Sequence, residues 1–185
     1  FDKYDQSYRT SSFKSPSYGC QSGNTIILFS KNSIQFVENI FKKEEGEKEK
    51  KEKGKKFPEN ELDIFRQVIT FINANADAEF TFGQQEDQYF TYPDPAVKNG
   101  TIIANGWNSL TVKNIYSGID VVYSLKEEGG IKYSFTLKPG ADASLIKMRW
   151  SGVNGIQIDE SGNLLINSLN GIFTDKAPDT YYSDN

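Results

Sequence analysis

Apolar and polar residues alternate with a period of two in short bursts along this chain, and turn residues cut each burst off. In Ile131-Lys132-Tyr133-Ser134-Phe135-Thr136-Leu137 the odd positions are apolar and the even positions polar. An extended strand turns successive side chains to opposite faces, so this segment has one dry face and one wet face. The runs at 110–116 and 119–125 behave similarly, and residues 126–130 (KEEGG) are a turn short enough to join the last two runs as an antiparallel hairpin. Residues 155–158 and 164–166 flank the polar turn Asp159-Glu160-Ser161-Gly162-Asn163, a further hairpin. In the first half, 25–29 and 34–38 are β-branched and aromatic runs around a polar turn, followed by strand-like runs at 64–72, 78–82 and 88–92. Helical periodicity is sustained nowhere for three turns; Asp142 is placed to cap one local turn after Pro139-Gly140. The expected fold is all-β, an antiparallel β-sandwich or open barrel of about ten short strands with little helix.

One stretch breaks this pattern. Residues 42–56 hold eight Lys and five Glu, so 13 of 15 positions are charged and the segment carries +3. The chain as a whole is −4, which leaves −7 on the remainder. A run with no apolar face has nothing to bury against the ~1–2 kcal/mol per residue that backbone ordering costs, so it is expected as a disordered charged loop. Its interleaved Glu residues and the acidic remainder argue against nucleic acid, because phosphate binding wants uncompensated Lys and Arg. Residues 1–24 are rich in Ser, Tyr and Gly without periodicity and are expected as an extended N-terminal arm. Residues 25–185 then form one β-sandwich domain interrupted by the loop. Apolar runs such as Ile26-Ile27-Leu28-Phe29 fall far short of the ~20 residues that a spanning helix needs, so no membrane insertion is expected.

Composition also restricts chemistry. The chain has no His and one Cys, which removes Ser-His-Asp triads, Cys-His pairs and His-ligated zinc. Cys20 follows Ser17-Tyr18-Gly19, but the preceding charges Lys3, Asp5, Arg9 and Lys14 are unlike the apolar segment that precedes a lipidated cysteine. No acid pair stands in a supporting framework, so the expectation is a protein that is not an enzyme and has no catalytic residues. Asp120, between Ile119 and Val121, is expected to bond backbone groups at a turn. Asp159 and Asn163 are the place where oxygen ligands would hold Ca²⁺, although they lack the regular ligand spacing of a calcium loop; no other cofactor is expected. Trp150 continues the apolar parity of Ile146 and Met148 and belongs to the core, whereas Tyr92 and Trp107 are candidate ligand or partner contacts. Asn99-Gly100-Thr101 matches an N-glycosylation acceptor.

The second half carries a family likeness. Asn114-Ile115-Tyr116-Ser117-Gly118-Ile119-Asp120-Val121-Val122-Tyr123 resembles the "vYpGIDlvYy" segment of an uncharacterised β-rich domain of large bacterial, Bacteroidetes-type surface and secreted proteins. Ile131-Lys132-Tyr133-Ser134-Phe135 is similar to that family's "leYdF" strand, and Pro139-Gly140-Ala141-Asp142 to its "PGAdp" turn. Ser117 stands where the family usually has Pro and Ser134 where it has Asp, so no role is carried over at either position. In such proteins the domain lies N-terminal to β-propeller-type repeats or accompanies gliding-motility-associated C-terminal sorting domains. The resemblance implies a non-enzymatic extracellular or cell-surface (outer membrane-associated) domain of a larger protein that uses type IX secretion. Its expected work is adhesion, gliding or surface assembly, with partners among the other domains of the chain, other surface proteins or glycans. The alternative is a carbohydrate- or peptide-binding module that uses exposed aromatics.

Overall fold

A computed structural model describes residues 2–3, 18–41, 62–93, 100–126 and 129–182. In chain order the strands are β1 (Asp2–Lys3), β2 (Tyr18–Ser22), β3 (Thr25–Ser30), β4 (Ser33–Phe41) and β5 (Leu62–Phe71). Then come β6 (Glu79–Phe82), β7 (Gln85–Pro93), β8 (Thr101–Trp107), β9 (Ser109–Tyr116), β10 (Ile119–Leu125) and β11 (Ile131–Leu137). After a single 3-10 turn at Ala143–Leu145 follow β12 (Met148–Ser151), β13 (Gly155–Ile158), β14 (Leu164–Ser168) and β15 (Gly171–Asp175). Among the described residues all pairings are antiparallel and no sheet closes on itself. The first sheet has the order β1-β2-β3-β4-β5-β12, the second β11-β10-β9-β6 and the third β13-β14-β15, while β7 and β8 pair with each other alone.

The expected hairpins are present. Thr25 pairs with Glu38 and Ser30 with Ser33; Ile119 pairs with Leu137 and Leu125 with Ile131; Gly155 pairs with Asn167. Asp142 caps its turn, accepting the Ser144 N–H at 2.9 Å. Two expectations are corrected. The arm over residues 1–24 contains β2, whose register on β3 runs from Tyr18↔Phe29 to Ser22↔Thr25. Tyr18 and Cys20 turn inward to the core, a signal that the surrounding Ser and Gly conceal. The strand count is fifteen among the described residues rather than about ten, because β1, β2, β8 and β15 carry weak alternation. The charged run at 42–56 and Asn99 lie outside the described residues.

The first two sheets pack face to face through their dry faces. Ile27 and Phe29 of β3, Ile34 of β4, and Ile69 and Phe71 of β5 meet Leu110 and Val112 of β9 and Val121 and Tyr123 of β10, each at most 2% exposed. Aromatic rings span the gap. Phe29 and Tyr123 have centroids 4.8 Å apart, Phe71 meets Phe135 edge-on at 6.0 Å, and Tyr18 meets Phe80 and Phe82 at 4.8 and 4.9 Å. Edge-on and tilted rings at these separations are the favoured arrangements of aromatic quadrupoles. This is a β-sandwich with an aromatic core.

Of the buried side-chain atoms that make no hydrogen bond among the described residues, one belongs to a ring at the centre of this core. The Tyr123 hydroxyl is fully buried and finds no hydrogen-bond partner among the described residues, and burial pushes its pKa far up. An unmade buried hydrogen bond costs about 1–3 kcal/mol. Tyr123→Phe keeps the ring against Phe29 and removes the orphan, so it is expected to raise stability by about 1 kcal/mol. Chemical denaturation measures this; a loss of similar size would show that the hydroxyl is bonded.

Candidate functional site

The third sheet covers one end of the sandwich. Its strand β14 sinks Ile166 completely, and Phe173 of β15 sets its ring 6.5 Å from Phe36 of β4. Asn170 donates to the Glu38 carboxylate at 2.6 Å, and Tyr133 of β11 donates its hydroxyl to Asp175 Oδ2 at 2.5 Å. Between this sheet and the sandwich rim lies a cleft of about 310 Å³ lined mainly by Phe36, Ile69, Tyr133, Trp150, Phe173 and Asp175. That volume is at the small end of ligand pockets, ~300–1,000 Å³. Phe36 and Trp150 stack nearly parallel, 9° apart with centroids at 6.1 Å, and form one wall. The Gly130 N–H donates to Ser22 Oγ at 2.7 Å, so the β2–β3 and β10–β11 turns meet at one end of the cleft.

Among the described residues one carboxylate, that of Asp175, lines the cleft. Burial pushes the Asp175 carboxyl up from its ordinary range, and the hydrogen bond from Tyr133 only partly opposes this. Burial also pushes the Tyr133 hydroxyl far up, and the neighbouring Asp175 adds to it, so Tyr133 remains a donor at any ordinary pH. Among the described residues no cation forms an ion pair with Asp175.

A second acid does structural work. Asp120 on β10 is 7% exposed and accepts the Asn114 N–H at 2.7 Å and the Lys113 ammonium at 2.9 Å. It sits where the β9–β10 register shifts between Ile119↔Tyr116 and Val121↔Val112, and where Asn114 adopts φ +55°. The carboxylate thus holds a bulge in place, as the sequence position suggested. Burial alone would raise its pKa, but the bonds from Asn114 and Lys113 outweigh it and hold the carboxyl below its ordinary range.

Comparison with protein families gives one match, over residues 11–185, to a domain of unknown function, DUF7948. This chain belongs to the DUF7948 family. Comparisons with curated proteins and with solved structures give no match.

The DUF7948 domain places its sequence-predicted contacts on the β7–β8 hairpin. Tyr92 pairs with Ile102 through the backbone, and its side chain lies outside the described residues. Trp107 is half-buried against Phe82, ring centroids 4.9 Å apart. The hairpin instead exposes Tyr89 (64%) and Ile103 (67%) on one face and Phe90 (44%) on the other. Trp150 packs against the core as its parity indicated and also reaches the cleft. The oxygens of Asp159 are turned to their own turn: Oδ1 accepts from the N–H groups of Ser161 and Asn163 at 2.9 and 2.8 Å, and Oδ2 from Asn163 Nδ2 at 2.8 Å. The bonds from Asn163, followed by those from Ser161 and Gly162, hold this carboxyl below its ordinary range. Asn163 Oδ1 in turn accepts the Ala177 N–H at 2.9 Å. No group of three or more His, Cys, Asp and Glu side chains converges among the described residues, and no helix there is long and apolar enough to cross a membrane.

Sequence reasoning did not bring Tyr133 and Asp175 together. They lie 42 positions apart, and Asp175 ends a short run, Gly171-Ile172-Phe173-Thr174-Asp175. Its available signal was the alternation across that run, which marks a strand and puts Phe173 and Asp175 on one face.

Proposed function

We propose that this domain is a non-enzymatic contact module of a larger exported protein, displayed outside the cell or at its surface and working in adhesion, gliding or surface assembly. The observation that carries this is the β7–β8 hairpin. It belongs to neither sheet of the sandwich, and it presents Tyr89, Phe90 and Ile103 to solvent. Tyr89 and Ile103 share one face of the hairpin and Phe90 lies on the other, and apolar side chains left in water are covered favourably by a partner, which is why such surfaces mark interaction sites. Partners of the expected kind are other domains of the same chain, other surface proteins or glycans. The ordered motifs between Asn114 and Asp142 support the Bacteroidetes-type surface setting, with propeller repeats or a gliding-motility sorting domain further along the chain. Fractionation and protease shaving of intact cells test the location: the domain is expected to be cut from outside, and retention in the cytoplasm would sink the proposal.

A second function is favoured by the exposed rings themselves. Tyr89 on one face, or Phe90 on the other, can stack on a sugar or grip a peptide, which makes the hairpin that also carries Tyr92 and Trp107 a carbohydrate- or peptide-binding edge. On a glycan array, Tyr89→Ala with Phe90→Ala is expected to weaken any positive signal about tenfold, or about 1.4 kcal/mol. An array with no signal for the unsubstituted domain removes this second function and leaves the first.

A further inference from the structure

We infer that the cleft between the sandwich and the third sheet binds an organic cation, an ammonium group on an apolar stem, through the Asp175 carboxylate and the rings of Phe36, Tyr133, Trp150 and Phe173. Three observations converge on that chemistry. The wall is aromatic: Phe36 and Trp150 stack and Phe173 leans against Phe36, so several ring faces and edges border one space. Ring faces attract cations through their quadrupole, and the attraction strengthens when water is excluded. Among the described residues the space also holds a carboxylate whose one hydrogen bond from a side chain comes from a neutral hydroxyl, at 2.5 Å, and which no cation pairs. A carboxylate oxygen offers more acceptor capacity than one donor fills, so Asp175 can take a second donor. Finally, the chain as a whole carries −4, a net charge whose field draws cations toward it.

Size and competition refine the ligand. About 310 Å³ admits an amine with a short aromatic or alkyl body rather than an extended polymer. Lys126, on the β10–β11 turn, also borders the cleft and forms no ion pair with Asp175, so its like charge opposes the ligand. The ammonium group can be a free amine or the lysine side chain of a partner polypeptide, and both offer the same chemistry. This site is separate from the β7–β8 hairpin, so its failure and that of the surface-contact proposal are distinguishable.

Calorimetric titration of the unsubstituted chain tests it, with phenethylammonium as the cation, phenethyl alcohol as its neutral counterpart, and a Gly-Lys-Gly peptide with blocked ends for the polypeptide source. The cation is expected to bind saturably at a dissociation constant of about 1 mM or below, with the alcohol about tenfold weaker or more. Asp175→Asn retains an acceptor for Tyr133 and is expected to cost about tenfold in cation affinity, while Lys126→Ala gains roughly two- to fivefold. Tighter binding of the peptide than of the amine supports the site with a polypeptide as its source; the reverse order supports it with a free amine. The proposal is overturned if neither ammonium probe saturates by about 10 mM, if alcohol and cation bind alike, or if a folded Asp175→Asn protein binds unchanged. Should Asp175→Asn not fold, the charged-against-neutral comparison on the unsubstituted chain decides.

Discussion

Gly152→Ala is expected to cost the domain about 3–5 kcal/mol and to lower its melting temperature by roughly 10–15 °C. Gly152 follows β12 at φ +74°, in the left-handed region that costs other residues about 1–2 kcal/mol. The larger part is contact. A Cβ there would stand 2.1 Å from the Arg66 carbonyl oxygen and 3.3 Å from the Gln67 Cα, and backbone atoms cannot swing aside as a side chain can. Relief requires β12 to lift from β5, where Ser151 pairs with Val68 and Trp150 with Ile69, and that movement disturbs the stack of Trp150 on Phe36. Gly130→Ala is the control: φ is +82°, yet nothing lies within 4 Å of the added carbon, so only the backbone cost of about 1–2 kcal/mol is expected. Thermal and denaturant unfolding of the two variants measure the difference. Equal losses would show that β12 is not seated against β5 in this way.

Asp120→Ala is expected to destabilise the domain by about 2–4 kcal/mol near neutral pH, because it strips the Asn114 N–H of its acceptor and leaves the bulge unpinned. Acid sharpens the test. The folded pKa of Asp120 lies below its unfolded value, so the unfolded chain takes up this proton first as pH falls. Its contribution is therefore complete above the unfolded value near pH 4 and is lost as pH falls from there through the depressed folded pKa. Stability measured against pH for both proteins should show the gap between them narrowing below about pH 5. Asp142 and Asp159 are held low too, but they are present in both proteins and drop out of the difference. A gap that stays constant down to pH 2 would mean that the charge on Asp120 does no work.

How legible the fold was depended on whether a strand's own side chains announced it. Ile131 to Leu137 and Ile119 to Leu125 alternate by themselves, and the structure pairs them over seven residues in the register that their short turn implies. Strand β2 was hidden because Gly19, buried opposite Leu28, has no side chain to contribute to a pattern. In β8 the pair Asn105-Gly106 has the composition of a turn. The structure uses that glycine instead for close approach: a Cβ on Gly106 would meet the Gln88 carbonyl at 3.0 Å and the Phe90 ring at 3.6 Å. Asp120 was placed by sequence through its flanking Ile119 and Val121, and Trp150 through the like parity of Ile146 and Met148. The cleft was not, since Phe36, Tyr133, Trp150 and Asp175 come from β4, β11, β12 and β15, and only the packing of three sheets makes them neighbours.

The pairing of β12 with β5 sets a clock on biosynthesis. Met148 joins Phe71 and Ser151 joins Val68, so the first sheet waits for about 80 residues of further chain before its last strand arrives. At ~5–20 residues per second a ribosome needs roughly 4–16 s to supply them. During that interval the outer edge of β5 offers unpaired N–H and C=O groups to any strand nearby. Closing so distant a pairing is intrinsically slow, since loop entropy is lost before the contacts form. The nascent sandwich therefore acquires its final edge late, after both strands of the hairpin that carries Tyr89 and Ile103 have already been synthesised.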